Sequence, residues 1–289
     1  MRIPSEIVRL IVEEVEDSQS LVALSQASKQ LQIESERLLY RSLTEKDGTK
    51  AYKSLSSIKN CPRRAECVRV YHDHKIAHKQ RRSMWNLIGK TLPLMINLRE
   101  LAFRYIIGRP LTTIFPREYT PRLEKFIWSV QVRNFYGRES LSYVSQARKF
   151  LERQIQLRHL HWQPSPYAES NPKPSPHTLV PHLDTLIGDT ETIRTYLPGR
   201  DSITTLQLFT GQGTRYLPRH LTFEETFDRL SSQLKKLKYL SIQPLSETFW
   251  DDRFLQLITP HLHSLETLRV LSLSELEIVS LYMKNCRSI

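Results

Sequence analysis

One six-residue pattern recurs along most of the chain and limits the folds that the chain can adopt. The pattern places apolar residues at its first, fourth and sixth positions, and successive copies start 20 to 34 residues apart. The copies are AECVRV at Ala65, LRELAF at Leu98, LEKFIW at Leu123, LRHLHW at Leu157, LDTLIG at Leu183, ITTLQL at Ile203, LKYLSI at Leu237 and LRVLSL at Leu268. Because strand side chains alternate between two faces, each copy predicts a short strand whose fourth and sixth residues point into a core. For the last copy, LETLRV at Leu265 is a competing register.

The segments between the copies predict helices and loops. Apolar residues recur three or four apart in residues 81–95, 140–155 and 222–234, which is typical of amphipathic helices. The sequence therefore predicts an α/β fold in which short parallel strands alternate with helices and stack as a solenoid, with a plain open α/β sheet as the alternative. Residues 164–181 contain six prolines and predict a surface loop, either a bare insertion or a polyproline ligand for a partner.

The first 43 residues show a helical pattern instead. A first helix is indicated by apolar residues spaced three and four apart, at Ile7, Leu10, Ile11 and Val15. Pro4 suits the entry to its first turn, and Asp17 with Ser18 supplies capping chemistry for a second helix. That helix is predicted to place Leu21, Leu24 and Leu31 on one side, and a third is predicted near residues 33–43. Three such short helices bury little surface and need a neighbour or partner.

The segments IPSEIVRLIVEEV, SLVALSQASKQL and RLLYRSL resemble the F-box, the helical module by which substrate receptors dock on the Skp adaptor of SCF-type cullin-RING ubiquitin ligases. The resemblance covers about residues 2 to 43. It implies adaptor contacts by Ile3, Pro4, Ile7, Ile11, Leu21 and Leu24. The alternative is an N-terminal helical hairpin that caps a larger domain.

The recurrent strands resemble the degenerate leucine-rich repeats that follow the F-box in many such receptors. This implies an F-box-like domain at residues 1–45, a linker at 46–60 and a leucine-rich-repeat-like domain at 61–289. A protein substrate would then contact the outward strand positions Glu100, Arg104, Lys125, His159, His161, Gln163, Gln207, Phe209, Tyr239 and Gln243. The resemblance implies a receptor without catalytic residues of its own, acting inside a ligase complex.

Composition bears on partners and compartment. The formal net charge is +12, which favours acidic partners, and an acidic protein substrate is expected over nucleic acid because no nucleic-acid-binding motif is present. Ten histidines include the cluster HDHKIAH, whose basic neighbours favour a solvated loop over a metal site, and neither a phosphate-binding loop nor a cofactor motif occurs. Charged residues interrupt the first apolar segment, and no apolar run approaches about 18 residues, so we expect a soluble intracellular protein of the cytoplasm or nucleus without a membrane anchor. The remaining alternatives are a repeat scaffold outside any ligase and a basic nucleic-acid-binding protein.

Overall fold

The chain forms two compact units, Met1–Leu123 (unit 1) and Glu124–Ile289 (unit 2). The computed structural model describes residues 3–44, 47–73, 81–104, 114–116, 118–119, 121–129, 139–163, 180–210, 231–244, 264–271 and 278–281. Within these residues no helix has the length and apolar character needed to span a membrane.

Unit 1 begins with three helices and continues with parallel strands. Its helices are α1 (Ser5–Glu13), α2 (Ser18–Ala27), α3 (Lys29–Leu39), α4 (Gly48–Asn60), α5 (Pro62–Cys67) and α6 (Arg81–Thr91), the last followed by a 3-10 turn at Leu92–Leu94. Its strands are β1 (Ser42–Leu43), β2 (Val70–Asp73) and β3 (Glu100–Arg104). Strand β2 pairs in parallel with both β1 and β3.

Unit 2 repeats the alternation of strand and return. Its strands are β4 (Lys125–Ser129), β5 (His159–Gln163), β6 (Thr185–Asp189), β7 (Thr205–Thr210), β8 (Tyr239–Pro244), β9 (Thr267–Leu271) and β10 (Ile278–Leu281). Helices α7 (Glu139–Leu151) and α8 (Thr190–Tyr196) and a helical turn at Ser231–Leu234 lie between strands. Strands β4 to β9 pair in parallel in chain order, and β10 pairs antiparallel with β9. The predicted α/β architecture of short parallel strands alternating with helices is confirmed.

A repeated backbone hydrogen bond stacks each strand on the next. The backbone carbonyl of the second residue of a repeat accepts hydrogen bonds from the N–H groups of the second and third residues of the next repeat. The Arg158 carbonyl accepts from Asp184 and Thr185 at 2.9 and 3.0 Å, and the Thr204 carbonyl accepts from Lys238 and Tyr239 at 2.9 and 3.1 Å. Equivalent residues of successive repeats are therefore held at the same level of the sheet.

Six of the eight predicted strand registers match the structure. In them the first, fourth and sixth residues of the pattern are buried, as Leu157, Leu160 and Trp162 show with exposures of 0, 0 and 2%. The two outermost registers were wrong by three residues. Val70 pairs with Glu100, so the first repeat starts at Val68 rather than Ala65. Thr267 pairs with Tyr239, so the last repeat starts at Leu265, the competing register, rather than at Leu268.

Other predicted segments differ in their boundaries. The third N-terminal helix was predicted at residues 33–43 but runs from Lys29 to Leu39, because the Ser28 hydroxyl accepts from the Leu31 N–H and caps it. Leu31 therefore belongs to α3, not to α2. The predicted linker, residues 46–60, contains α4, whose Leu55 and Ile58 are 1 and 0% exposed. The predicted Pro-rich loop at 164–181 lies outside the described residues except for its last two.

Candidate docking site

Helix α1 uses one of its faces to build a small core. Val8 and Val12 are 5 and 0% exposed and pack against Leu21 of α2, which is 7% exposed. Around these three lie partly buried side chains of α2, α3 and the turn after α1, namely Val15, Leu24, Leu31, Leu38 and Leu39. The three helices thus form a folded module with its own apolar centre, which we call the N-terminal module (residues 3–39).

A second face of α1 is apolar and exposed. Ile3, Ile7, Leu10 and Ile11, here called the α1 stripe, have exposures of 55, 46, 58 and 50%. Their spacing of four, three and one residues places Ile7, Leu10 and Ile11 on one side of the helix. Val22 of α2 is also 46% exposed. These five residues make up most of the nine large apolar side chains that are exposed in the described part of the chain, so the stripe is a concentrated apolar surface rather than ordinary scatter.

Local contacts fix the start of α1 and α2. The Pro4 carbonyl accepts from the N–H groups of Ile7 and Val8, both at 3.2 Å, so Pro4 is the N-cap residue immediately before α1. The Gln30 side-chain amide donates to the Ile3 carbonyl at 3.1 Å and ties the approach to α1 onto α3. Asp17 caps α2 by accepting from the Ser20 N–H at 2.7 Å, as predicted, and the hydrogen bonds from Ser20 lower the pKa of this carboxyl.

An ionic cluster around one buried carboxylate joins the N-terminal module to the first repeat. The Glu36 side chain on α3 is 5% exposed and accepts from the guanidinium groups of Arg63 and Arg64 on α5, with Arg64 Nη2 at 2.8 Å from Glu36 Oε1. Arg64 also donates to the Ser57 hydroxyl at 2.6 Å and lies 5.2 Å from the centre of the Tyr40 ring. Burial alone would raise the pKa of Glu36, but the bonds and charges of Arg64 and Arg63 outweigh it and hold that pKa below its ordinary value.

The cluster predicts an acid-dependent contribution to stability. A carboxyl whose pKa is lower in the folded chain stabilises the fold above its unfolded pKa of about 4.3 and loses that effect as pH falls through the folded value. We expect Glu36→Gln to lower the free energy of unfolding by about 1–3 kcal/mol at pH 7 and by much less at pH 3, since hydrogen bonds to charged groups are worth about that much. Urea titrations at the two pH values measure this. The exposed Glu66→Gln is the matched control, and an equal effect of both substitutions would contradict the role given to Glu36.

The predicted adaptor-binding residues divide between the two faces of the module. Ile3, Pro4, Ile7 and Ile11 are exposed, with Ile7 and Ile11 one helical turn apart on α1 and Ile3 and Pro4 just before it. Leu21 lies in the core of the module, and Leu24 is half-buried against that core. Sequence reasoning missed Val8 and Val12 as the buried pair, and it left Leu10 and Val22 out of the exposed surface. The spacing of four between Val8 and Val12 was the signal available for the core.

The predicted substrate-contact residues all lie on strands and are all half-buried. Glu100 and Arg104 lie on β3 of unit 1, where Glu100 Oε2 is 3.6 Å from His72 Nε2. The other eight lie on β4, β5, β7 and β8 of unit 2. Lys125 and His159 are paired across neighbouring strands, and so are Phe209 and Gln243.

Side-chain contacts link part of this strand face. The His161 and Phe209 rings lie 5.6 Å apart, and Gln163 Oε1 accepts from the Ser129 hydroxyl at 2.9 Å. The positions equivalent to His159 and Tyr239 on strands β6, β7 and β9 are held by Thr185, Thr205 and Thr267, in the same row across the sheet. Sequence reasoning passed over these threonines, although they hold the third position of their repeats.

The histidine cluster is only partly within the described residues, because His74 and His78 lie outside them. No three His, Cys, Asp or Glu side chains in the described part of the chain are grouped so as to hold a metal ion. Comparison with protein-family models and with curated proteins finds no match for this sequence.

Proposed function

We propose that this protein is a substrate receptor of an SCF-type ubiquitin ligase, in which the N-terminal module is an F-box that docks on a Skp adaptor. The strands and helices that follow this module form leucine-rich-repeat-like repeats, which hold a protein substrate on the outward strand positions. The observation that carries the proposal is the α1 stripe, an exposed apolar face on a helical module that already has a separate core.

The energetics favour an external partner for this face. Each exposed isoleucine or leucine side chain gains roughly 1.5–3 kcal/mol when it is fully buried. Within the module this gain is not realised, because the core is filled by Val8, Val12 and Leu21 while the stripe stays about half exposed. Burial of the stripe in a groove of the adaptor would therefore contribute favourable binding free energy, as it does when an amphipathic helix docks in an apolar groove.

The ionic cluster supports the receptor role in a second way. Glu36, Arg63 and Arg64 join α3 to α5, which leads directly into β2. A substrate bound on the strands of unit 1 would therefore be connected to the bound adaptor through this ionic cluster. In a receptor of this kind the chain acts by proximity, raising the effective concentration of a substrate lysine near the conjugating enzyme, and it supplies no reacting group.

Co-purification with a Skp adaptor tests the proposal. The variant Ile7→Asp/Ile11→Asp places two carboxylates in the stripe without touching the core, and Ile155→Asp in unit 2 makes the same change at a side chain that is 64% exposed. We expect the parent chain and Ile155→Asp to bind the adaptor equally. The double variant is expected to bind about 100-fold more weakly or worse, because it loses the burial of two isoleucines.

The outcome distinguishes the alternatives. Retained binding in the double variant would show that the stripe is not the docking surface. Absence of binding in all three folded proteins would favour the alternative function, a repeat scaffold outside any ligase. In that case the N-terminal module caps the first repeat through Glu36. The observation that favours that second function is the same ionic cluster, since a cap needs firm attachment to the repeat that it covers.

A further inference from the structure

Arg269 places a cationic group on the outward face of β9 in unit 2. It holds the fifth position of the repeat that starts at Leu265, and it is paired with Ser241 of β8. The side chain is half-buried, and its Nε atom is buried without a hydrogen bond to any described residue. No described carboxylate forms an ion pair with it either. This guanidinium has therefore lost part of its hydration without gaining an anion, a cost that a bound anion would offset.

The outward positions around Arg269 are polar and uncharged. Gln207 of β7, Ser241 of β8 and Arg269 lie in one row across the sheet. Several neighbouring side chains are half-buried and carry hydroxyl or amide groups that make no hydrogen bond with a described residue, namely Thr205, Gln207, Tyr239, Gln243 and Thr267. These residues with Ser241 and Arg269 are here called the β7–β9 patch.

The nearest acidic residue at an outward position does not neutralise the patch. Among the described outward positions of β5 to β9, the one carboxylate is that of Asp189 on β6. It is three strands from β9, which is about 14 Å, and it accepts from the Thr192 N–H at 2.8 Å to cap α8. The patch therefore presents one positive charge within a set of neutral hydrogen-bonding groups.

This combination of groups matches the end of a polypeptide chain. A guanidinium binds a carboxylate with two parallel hydrogen bonds, and glutamine, serine and threonine side chains can both donate to and accept from peptide groups. One uncompensated positive charge calls for one carboxylate, followed by groups that are neutral. Peptide groups are neutral, and the terminal carboxylate is the single anion at the end of every chain.

We propose that the β7–β9 patch binds the carboxyl terminus of a partner polypeptide, with its terminal carboxylate on Arg269 and its last peptide groups on the neutral side chains. Neighbouring strands lie about 4.8 Å apart, close to the spacing of about 3.8 Å between consecutive Cα atoms. A terminal carboxylate follows the last peptide group directly and so fits adjacent strands, whereas a side-chain carboxylate is held away from its backbone by methylene groups. The inference rests on the proposed function in that it names the class of substrate which the receptor would hold.

Retention of synthetic peptides on the immobilised full chain tests this proposal. The probes are N-acetylated hexapeptides of random neutral residues, made either with a free carboxyl terminus or with a terminal amide, and mass spectrometry measures how much of each is retained. Two further amidated sets carry one internal aspartate or one phosphoserine. Arg269→Gln removes the charge of the patch, and Arg269→Lys keeps the charge but removes the planar fork. The matched control is Arg158→Gln, which removes one charge from an exposed side chain of the same unit outside the patch.

We expect the parent chain to retain the free-carboxyl peptides about tenfold better than the amides, as hydrogen bonds to a charged group imply. Arg269→Gln should abolish this preference, Arg269→Lys should keep part of it, and Arg158→Gln should keep all of it. The Ile7→Asp/Ile11→Asp chain should also keep it, so failure of the patch is distinct from failure of adaptor docking.

Several results would overturn the proposal. They are a parent chain that does not prefer the free carboxyl terminus, a preference that survives Arg269→Gln, and an equal loss in Arg158→Gln. Equal or stronger retention of the aspartate or phosphoserine peptides would reassign the patch to a side-chain carboxylate or a phosphate. The comparison of free carboxyl with amide uses the parent chain alone, so it decides the question even if a variant does not fold.

Discussion

Gly188→Ala is expected to destabilise unit 2 by about 3 kcal/mol, near the upper end for overpacking a core. Gly188 holds the sixth position of its repeat on β6, where the neighbouring strand β5 has Trp162. A Cβ atom built at Gly188 would lie 2.5 Å from Thr192 Cγ2, 2.6 Å from Thr192 Cβ and 2.7 Å from the Trp162 carbonyl oxygen. The carbonyl oxygen is backbone of the paired strand, so the sheet itself would have to move.

Urea unfolding of Gly188→Ala, Thr192→Ala and the double variant measures this effect. Thr192 Oγ1 lies 3.0 Å from the Trp162 carbonyl oxygen and 2.7 Å from Asp189 Oδ1, and its single proton is shared between these two acceptors, so Thr192→Ala has a cost of its own. The double variant should be more stable than the sum of the two single effects predicts, because losing Thr192 Cγ2 relieves one of the three clashes while Cβ of residue 192 stays. Simple additivity would show that the contacts with Thr192 Cβ and the Trp162 carbonyl account for the loss.

Leu21→Asp is expected to unfold the N-terminal module, whereas Ile7→Asp is expected to leave it folded. Leu21 is 7% exposed between Val8 and Val12, and a carboxylate there would be buried without a described partner, at a cost of about 4 kcal/mol or more. A module of three short helices has little stability to spare. Ile7 is 46% exposed, so an aspartate there remains in water.

Hydrogen exchange of the amides in residues 5–39 separates the two variants. Fast exchange throughout these helices is expected for Leu21→Asp, with parent-like protection for Ile7→Asp. Protection that survives Leu21→Asp would mean that this side chain does not hold the helices together. The comparison also decides how binding data should be interpreted, since Leu21→Asp would abolish adaptor binding through unfolding even if Leu21 never touched the adaptor.

The strand pattern was predictable because burial at the first, fourth and sixth positions follows from alternation alone. The predicted register failed at the two ends for two different reasons. In the first repeat the sixth position is Asp73, which is 5% exposed and polar, so the apolar criterion selected a window three residues earlier. In the last repeat Leu271 extends the same spacing and makes a later window equally apolar.

The helical module was harder to derive than the strands. Helix α1 is apolar over two adjacent faces, and periodicity selects Ile7 and Ile11 as readily as Val8 and Val12. Only the positions of α2 and α3 decide which face is inside. Likewise, Glu36 carries no sequence signal of burial, because its partners Arg63 and Arg64 are 27 and 28 residues away along the chain.

The packing of aromatic residues in unit 2 has a spectroscopic consequence. Trp128 and Trp162 are 0 and 2% exposed, and their rings are stacked with centroids 6.1 Å apart, with Phe126 against both. Two indoles stacked at this distance couple their electronic transitions, which gives a paired positive and negative band in the circular dichroism spectrum. That signal depends on strands β4 and β5 remaining side by side, whereas Trp85 in unit 1 emits from a different apolar environment. The protein thus carries an intrinsic optical probe that reports the opening of this strand pair separately from the melting of unit 1.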